Sequence, residues 1–222
     1  VPRQAGEQAL SGELTAGLLP LVDYFRLERG FERLGRFGIA VRGRARSVIL
    51  FSRVPLRRLE GATIAITEET STTAVLLRLL LEQRYGLRPG AYERGITFDA
   101  DALLLIGDEA LKFQATNARY PFETDLAFEW WLWQHLPFVF AVWAVRRDAE
   151  QDTRRAIETA VAKSLGANQH QLAAIAAEHA ERIGVAAPEL QTYLEAFIYR
   201  FSQAEEDGLS RFKELVDEHY LL

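Results

Sequence analysis

Cysteine is missing altogether, which removes disulfides, thiolate metal sites and a cysteine nucleophile together and leaves the redox compartment undetermined. Methionine is missing too, which is improbable for a translated chain of 222 residues. A piece ahead of Val1 and some internal methionines are therefore expected to be absent from the sequence as written, and a secretory leader is compatible with such a piece. No apolar run approaches the roughly 18 residues that span a bilayer. The longest, Leu136 to Val145, is broken by Pro137 and flanked by Arg146 and Arg147, and reads as a buried strand. Histidine is scarce: His135, His170, His179 and His219 lie mostly toward the C-terminus and share no ligand spacing. With no HExxH pattern, no Ser/His/Asp constellation and no ring of carboxylates, metal-assisted and nucleophilic routes lack their residues, and neither a metal nor a cofactor is expected. An excess of positive charge is lacking as well. The formal charge of -5 and pI near 5.5 argue against a nucleic-acid partner, and no membrane partner is expected.

What is present is a chain that is 49% hydrophobic, long enough to bury a sizeable core in one large domain or two lobes. Arg42, Arg44, Arg46, Arg53, Arg57 and Arg58 make the middle of the first half basic. Such a stretch either draws in a small anion by its local field or is simply a solvated surface, the commoner use.

Glu7 to Ser11 reads as the end of a helix stopped by Gly12, Leu14 to Leu19 as a strand, and Pro20 to Leu27 as a helix. Phe37 to Val41 and Ser47 to Phe51 read as strands joined by an Arg42-Gly43-Arg44 turn, and Thr63 to Ile66 as a strand leading to a helix from Thr72 to Tyr85. Ala102 to Ile106 is a continuous apolar run of the kind covered on both faces, Glu109 to Phe113 a short helix, Leu126 to His135 an aromatic-rich helix and Phe138 to Val145 a strand. From Asp148 onward the chain reads as helical: Thr153 to Leu165, Gln169 to Ile183, Pro188 to Phe201 and Ser210 to Leu221. Alternating strands and helices predict an α/β fold with mostly parallel sheets and a helical C-terminal tail. Two crossing strands divide it into lobes, with residues 1–52 and 143–222 forming one and 53–142 the other, and a ligand in the crevice between them.

The most informative segment is Gly61 to Gly86, a β-branched strand, a hydroxyl-rich turn and an amphipathic helix closed by glycine. The first amides of a helix have no partner within it and carry the positive end of its dipole, so hydroxyls at Thr70, Ser71 and Thr72 beside them suit a carboxylate or phosphate. Ser and Thr are equally the ordinary N-caps of helices that bind nothing, although four hydroxyl residues in a row, ending at Thr73, exceed what one cap needs. Gly107 and Asp108, after the buried strand, are placed at the cleft, where Asp108 either orients a hydroxyl or caps the following helix. Ser47 either lines the hinge side of the pocket or is a plain strand serine. Trp130, Trp131, Trp133, Phe138 and Phe140 read as core and interlobe packing.

Several stretches carry a family resemblance: Ser11 to Leu19, Arg46 to Ser52, Val54-Pro55-Leu56, Leu104 to Leu111 and Leu136 to Trp143. Jointly, and in this order, they resemble the chorismate dehydratase family of the futalosine route to menaquinone, over most of the chain to about Arg147. The resemblance implies a two-lobed type II periplasmic-binding-protein fold in a cytoplasmic carbon-oxygen lyase. That lyase takes the anion chorismate to 3-[(1-carboxyvinyl)oxy]benzoate without a cofactor, and a homodimer is left open. With chorismate as the ligand, Thr70, Ser71, Thr72, Ser47, Gly107 and Asp108, read above from their own places in the chain, are the expected substrate-binding positions, and no catalytic residue is assigned. Family members begin with a strand and an Asn-containing turn that this sequence lacks, and the stretch between Arg84 and Asp101 is shorter than the family's. Two other functions share the fold: a non-catalytic solute-binding protein for a small organic anion, and the dihydroxynaphthoate synthase of the same route. The latter is expected to use a positioned histidine, and none lies at a strand-to-helix loop in the first 130 residues.

Overall fold

The computed structural model of the chain describes residues 5, 6, 8, 9, 11–68, 71–219 and 221. Its first half runs β1 (Ala16–Pro20), α1 (Leu21–Leu27), β2 (Phe31–Val41), β3 (Val48–Ser52), β4 (Thr63–Ile66), α2 (Thr72–Arg78) and β5 (Ala91–Arg94). There follow β6 (Ala102–Ile106), α3 (Gly107–Thr116), β7 (Phe122–Asp125), α4 (Leu126–Gln134) and β8 (Phe138–Arg146). The last third holds α5 (Gln151–Asn168), α6 (Leu172–Ile183), α7 (Ala187–Glu195), β9 (Phe197–Arg200) and α8 (Gln203–Glu218). α2 continues without a break as a wider π turn, Leu79–Arg84, and Gly86 at φ +67 ends it, close to where the sequence closes this helix. The expected helix end from Glu7 to Ser11 falls partly outside the described residues, of which 5, 6, 8 and 9 are helical.

Strand order is β1-β8-β2-β9 in one sheet and β5-β4-β6-β3-β7 in the other. In the five-stranded sheet β4 lies parallel to β5 and β6, while β3 is antiparallel to both β6 and β7, so four strands share one direction and β3 alone is reversed. The expectation of mostly parallel strands holds in part for this sheet, where two of the four pairings are parallel. It does not hold for the four-stranded sheet, where every pairing is antiparallel. Parallel neighbours need a crossover element, such as α2 between β4 and β5. β3 enters directly from β2 through residues 42–47 and has none.

Sheet membership also moves the lobe boundaries. β3 was expected with residues 1–52, yet all its partners are in the five-stranded sheet, and its VILFS side chains are buried throughout. β8 lies wholly in the four-stranded sheet, so a boundary at 142 would cut it in two. The chain changes sheets between Val41 and Val48 and returns between Gln134 and Phe138.

The tail is not helical throughout. β9 adds to β2, pairing Phe37 with Arg200 and Val41 with Phe197, where the sequence reading continued a helix to Phe201. The strand pairing is made possible by Gly38, since a Cβ there would sit 2.3 Å from the Ala141 carbonyl and 2.4 Å from the Phe201 ring. α8 begins earlier than expected, at a capping box: the Glu205 carboxylate accepts the Ser202 amide at 2.8 Å, and the Ser202 hydroxyl accepts the Ala204 amide at 3.3 Å.

One apolar cluster takes side chains from both sheets. Its aromatic centre joins Trp130 of α4, Phe138 of β8 and Phe212 of α8, with ring centroids 5.1 to 5.8 Å apart. Trp130 and Phe138 thus serve as the interlobe packing expected of them. Among the described residues no helix is long and apolar enough to cross a membrane.

Candidate functional site

Between the two sheets lies a cavity of about 270 Å³, near the lower end of the range of roughly 300–1,000 Å³ usual for small-molecule sites. The four-stranded sheet contributes Pro20, Ile39, Phe140, Ala141, Phe197 and Tyr199, the other sheet Val48 and Ile106. Ser47 and Gly107 sit at the sheet ends, Ser71, Thr72 and Thr73 open α2, and Tyr193 and Leu194 come from α7. Among the described residues none that lines it carries a formal charge.

Four of the six expected positions therefore meet: Ser47, Ser71, Thr72 and Gly107. Thr70 lies outside the described residues. Asp108 does not line the cavity. Its carboxylate accepts from the Arg182 guanidinium of α6 at 2.8 Å, in a pair exposed enough to contribute little. Neither of its two expected roles, at the cleft or as the helix cap, describes it, because Ile106 occupies the N-cap and Asp108 the first turn.

Hydroxyls and helix ends make the polar part of the wall. Ser71 is the N-cap residue of α2, yet it caps nothing, and its Oγ is buried with no hydrogen-bond partner. Thr72 Oγ1 accepts the Val22 amide from α1 at 3.1 Å. A hydroxyl has one proton and two lone pairs, so Thr72 still has its proton to give. α3 also starts at the cavity, where Gly107 at φ +59 donates its amide to the Ser47 carbonyl at 2.8 Å. The positive ends of α2 and α3 thus face one enclosed space, with α1 starting beside them at Pro20 and its Val22 amide engaged by Thr72. A carboxylate placed there meets oriented dipoles and hydroxyl protons rather than a counter-charge.

Two tyrosines from the tail complete the wall, and the sequence reading missed both. Tyr193 Oη lies 2.9 Å from Ser47 Oγ, joining α7 to the start of β3. Burial pushes the Tyr193 hydroxyl up, the Ser47 hydrogen bond opposes this, and the Asp108 charge adds to it. Burial also pushes Tyr199 up to about 12. Both therefore stay protonated near neutral pH. A strand at Tyr199 was signalled by the run Phe197 to Phe201, whose aromatic and β-branched residues suit one, but nothing local placed either tyrosine at the cavity.

The arginines of the basic stretch do not reach this cavity. Arg44 lies over the Phe128 ring at 4.3 Å, and Arg44 and Arg46 line a separate hollow beside Asp125 and Glu189. Phe140 lines the cavity, so it serves the site as well as the packing. Among the described residues no three His, Asp or Glu side chains gather as metal ligands would.

A two-lobed molecule with a cavity between its sheets has the architecture of the periplasmic binding proteins. The aliphatic sulphonate binding protein of Escherichia coli shares the fold at TM-score 0.66 and 15% identity, covering 100% of this chain and 80% of that one. A protein of Archaeoglobus fulgidus does so at TM-score 0.72 and 18% identity, covering 100% and 85%. The family is narrower than the fold: the chain belongs to the menaquinone biosynthesis family, whose model matches residues 1–218. It is 34% identical over 233 residues to the chorismate dehydratase of Thermus thermophilus, which covers 96% of this chain and 84% of that protein.

Proposed function

We propose that the chain is a carbon-oxygen lyase that removes water from chorismate to give 3-[(1-carboxyvinyl)oxy]benzoate. The supporting observation is the buried, unpartnered Ser71 hydroxyl at the start of α2, inside a cavity whose described lining residues are all uncharged. Chorismate carries two carboxylates, and a site built from helix ends and hydroxyls accommodates them without buried ion pairs.

The chemistry fits those donors. The ring proton that departs is conjugated through a double bond to the ring carboxylate, so removing it drives charge onto that carboxylate. Donors fixed at the carboxylate bind the charged intermediate more strongly than the substrate. Ser71, the Thr72 proton and the first-turn amides of α2 are assigned that task. The base is assigned to the substrate's own side-chain carboxylate, since no Asp, Glu or His lines the cavity among the described residues. An analogue lacking that carboxylate should bind and turn over far more slowly, and undiminished turnover would exclude this base.

The test of the function is incubation with chorismate, following loss of its absorbance and appearance of the aromatic product. Binding without turnover would support instead the solute-binding reading that the fold neighbours represent. The dihydroxynaphthoate synthase reading lacks its histidine at the cavity wall. A reaction of this kind is assigned to the cytoplasm, which fractionation checks.

A further inference from the structure

Dehydration needs an acid as well as a base, because hydroxide is a poor leaving group until it is protonated. The side-chain carboxylate takes up the ring proton in the first step, so the departing hydroxyl on the neighbouring carbon calls for a donor placed at its own side. Among the described residues lining the cavity, Tyr193 and Tyr199 are the titratable side chains. They differ in what occupies their hydroxyls. Tyr199 donates to the Leu194 carbonyl at 3.4 Å, so its proton is directed along the tail. Among the described residues the Tyr193 hydroxyl pairs with Ser47 Oγ, at 2.9 Å, and either oxygen of that pair has the geometry to donate. With Ser47 donating, Tyr193 keeps its own proton for the cavity, and the serine is in place to stabilise a phenolate.

We propose that Tyr193 is the catalytic acid that protonates the departing ring hydroxyl, with Ser47 as its positioning residue. The inference rests on the dehydratase reading above. The balance is as follows: the C–H bond at the ether-bearing ring carbon breaks, and its proton goes to the side-chain carboxylate. The electron pair moves into the ring and onto the ring carboxylate. It then returns to form the new ring double bond as the neighbouring C–O bond breaks, and the oxygen takes the Tyr193 proton and leaves as water. The proton held on the side-chain carboxyl restores Tyr193. One water is lost, and nothing is oxidised or reduced. Burial keeps the phenol protonated until it is needed, in line with its upward shift.

The experiment compares wild type, Tyr193→Phe and Ser47→Ala on chorismate and on an analogue with fluorine in place of the ring hydroxyl. Fluoride leaves without needing a strong acid. Tyr193 packs its ring edge-on to Phe197 at 5.1 Å, and phenylalanine keeps that contact. On chorismate, Tyr193→Phe should lower kcat roughly 10²–10⁴-fold, the usual contribution of a positioned acid, with KM little changed. On the fluoro analogue its rate should stay within about threefold of wild type, which distinguishes proton donation from shaping the cavity. Ser47→Ala should lower kcat on chorismate about tenfold and likewise spare the analogue, so the prediction remains testable if the tyrosine variant does not fold. A Tyr193→Phe kcat within threefold of wild type on chorismate overturns the proposal, as does an equal loss on both substrates. Wild-type protein inert toward chorismate would instead remove the dehydratase reading beneath it.

Discussion

Replacing Thr72 with valine keeps the shape of the side chain and removes one oxygen. In the intact protein that oxygen accepts the Val22 amide at 3.1 Å, with Thr72 3% exposed and Val22 0% exposed. The amide belongs to the first turn of α1 and has no carbonyl within that helix to turn to. Valine therefore leaves a buried donor unpaired, at a cost of about 1–3 kcal/mol. For a chain of this size each kcal/mol lowers Tm by about 2–4 °C, so the melting midpoint should fall by about 2–12 °C. The same oxygen carries the proton assigned to a substrate carboxylate. A hydrogen bond to a charged group contributes about 1.5–3 kcal/mol, so kcat/KM should drop roughly 10- to 150-fold. Thr72→Ser retains both bonds, loses only a methyl group at about 1 kcal/mol, and should keep kcat/KM within about threefold. Scanning calorimetry and initial rates on chorismate read the two effects separately. A valine variant melting with wild type would refute the bond between the two helix starts, and an unchanged kcat/KM would take Thr72 out of contact with the substrate.

Three further substitutions probe the frame around the site. Gly208→Ala should destabilise the protein by about 1–3 kcal/mol or more, because a Cβ there would lie 2.2 Å from the Pro137 carbonyl, a backbone atom that cannot turn aside; urea unfolding measures it. Asp125→Ala should cost about 1–2 kcal/mol from the lost α4 cap alone, since the carboxylate accepts the Phe128 amide, and also frees the Arg46 amide, seen as a lower urea midpoint at unchanged slope. Glu206 is held below the usual value of 4.5, chiefly by its hydrogen bonds to Arg33, which tie α8 to β2. A depressed carboxyl contributes stability above its unfolded pKa and loses it as pH falls through the folded one. Glu206→Gln should therefore melt below wild type at about pH 6–7, with the gap narrowing as acid is added, in a Tm series across pH.

The strands that carry continuous apolar runs were legible from their residues: β4 and β6 fall where the sequence places them, at Thr63–Ile66 and Ala102–Ile106. β5 and β7 were not. They are the two edges of their sheet, and Ala91–Arg94 and Phe122–Asp125 are polar and half exposed, with no periodicity to announce a strand. Strand direction is a property of connections rather than of side chains, which is why the antiparallel four-stranded sheet went unforeseen. The last helix was expected only from Ser210, whereas α8 starts at Gln203 and includes Gly208, whose missing Cβ permits the close approach to the Pro137 carbonyl. For the cavity, the hydroxyls at the start of α2 were readable because cap chemistry is local. Tyr193 and Tyr199 were not, because their relevance comes from a tail folding back across some 146 residues to meet Ser47.

That return has a bearing on how the protein comes into being. The cavity wall closes only once Phe197 and Tyr199 have docked beside β2. A nascent polypeptide emerging from the ribosome consequently has no competent binding chamber until Phe197 and Tyr199 are free to pair. Ligand added during refolding should then act as a clamp on the last step, drawing the partly assembled molecule toward completion by mass action.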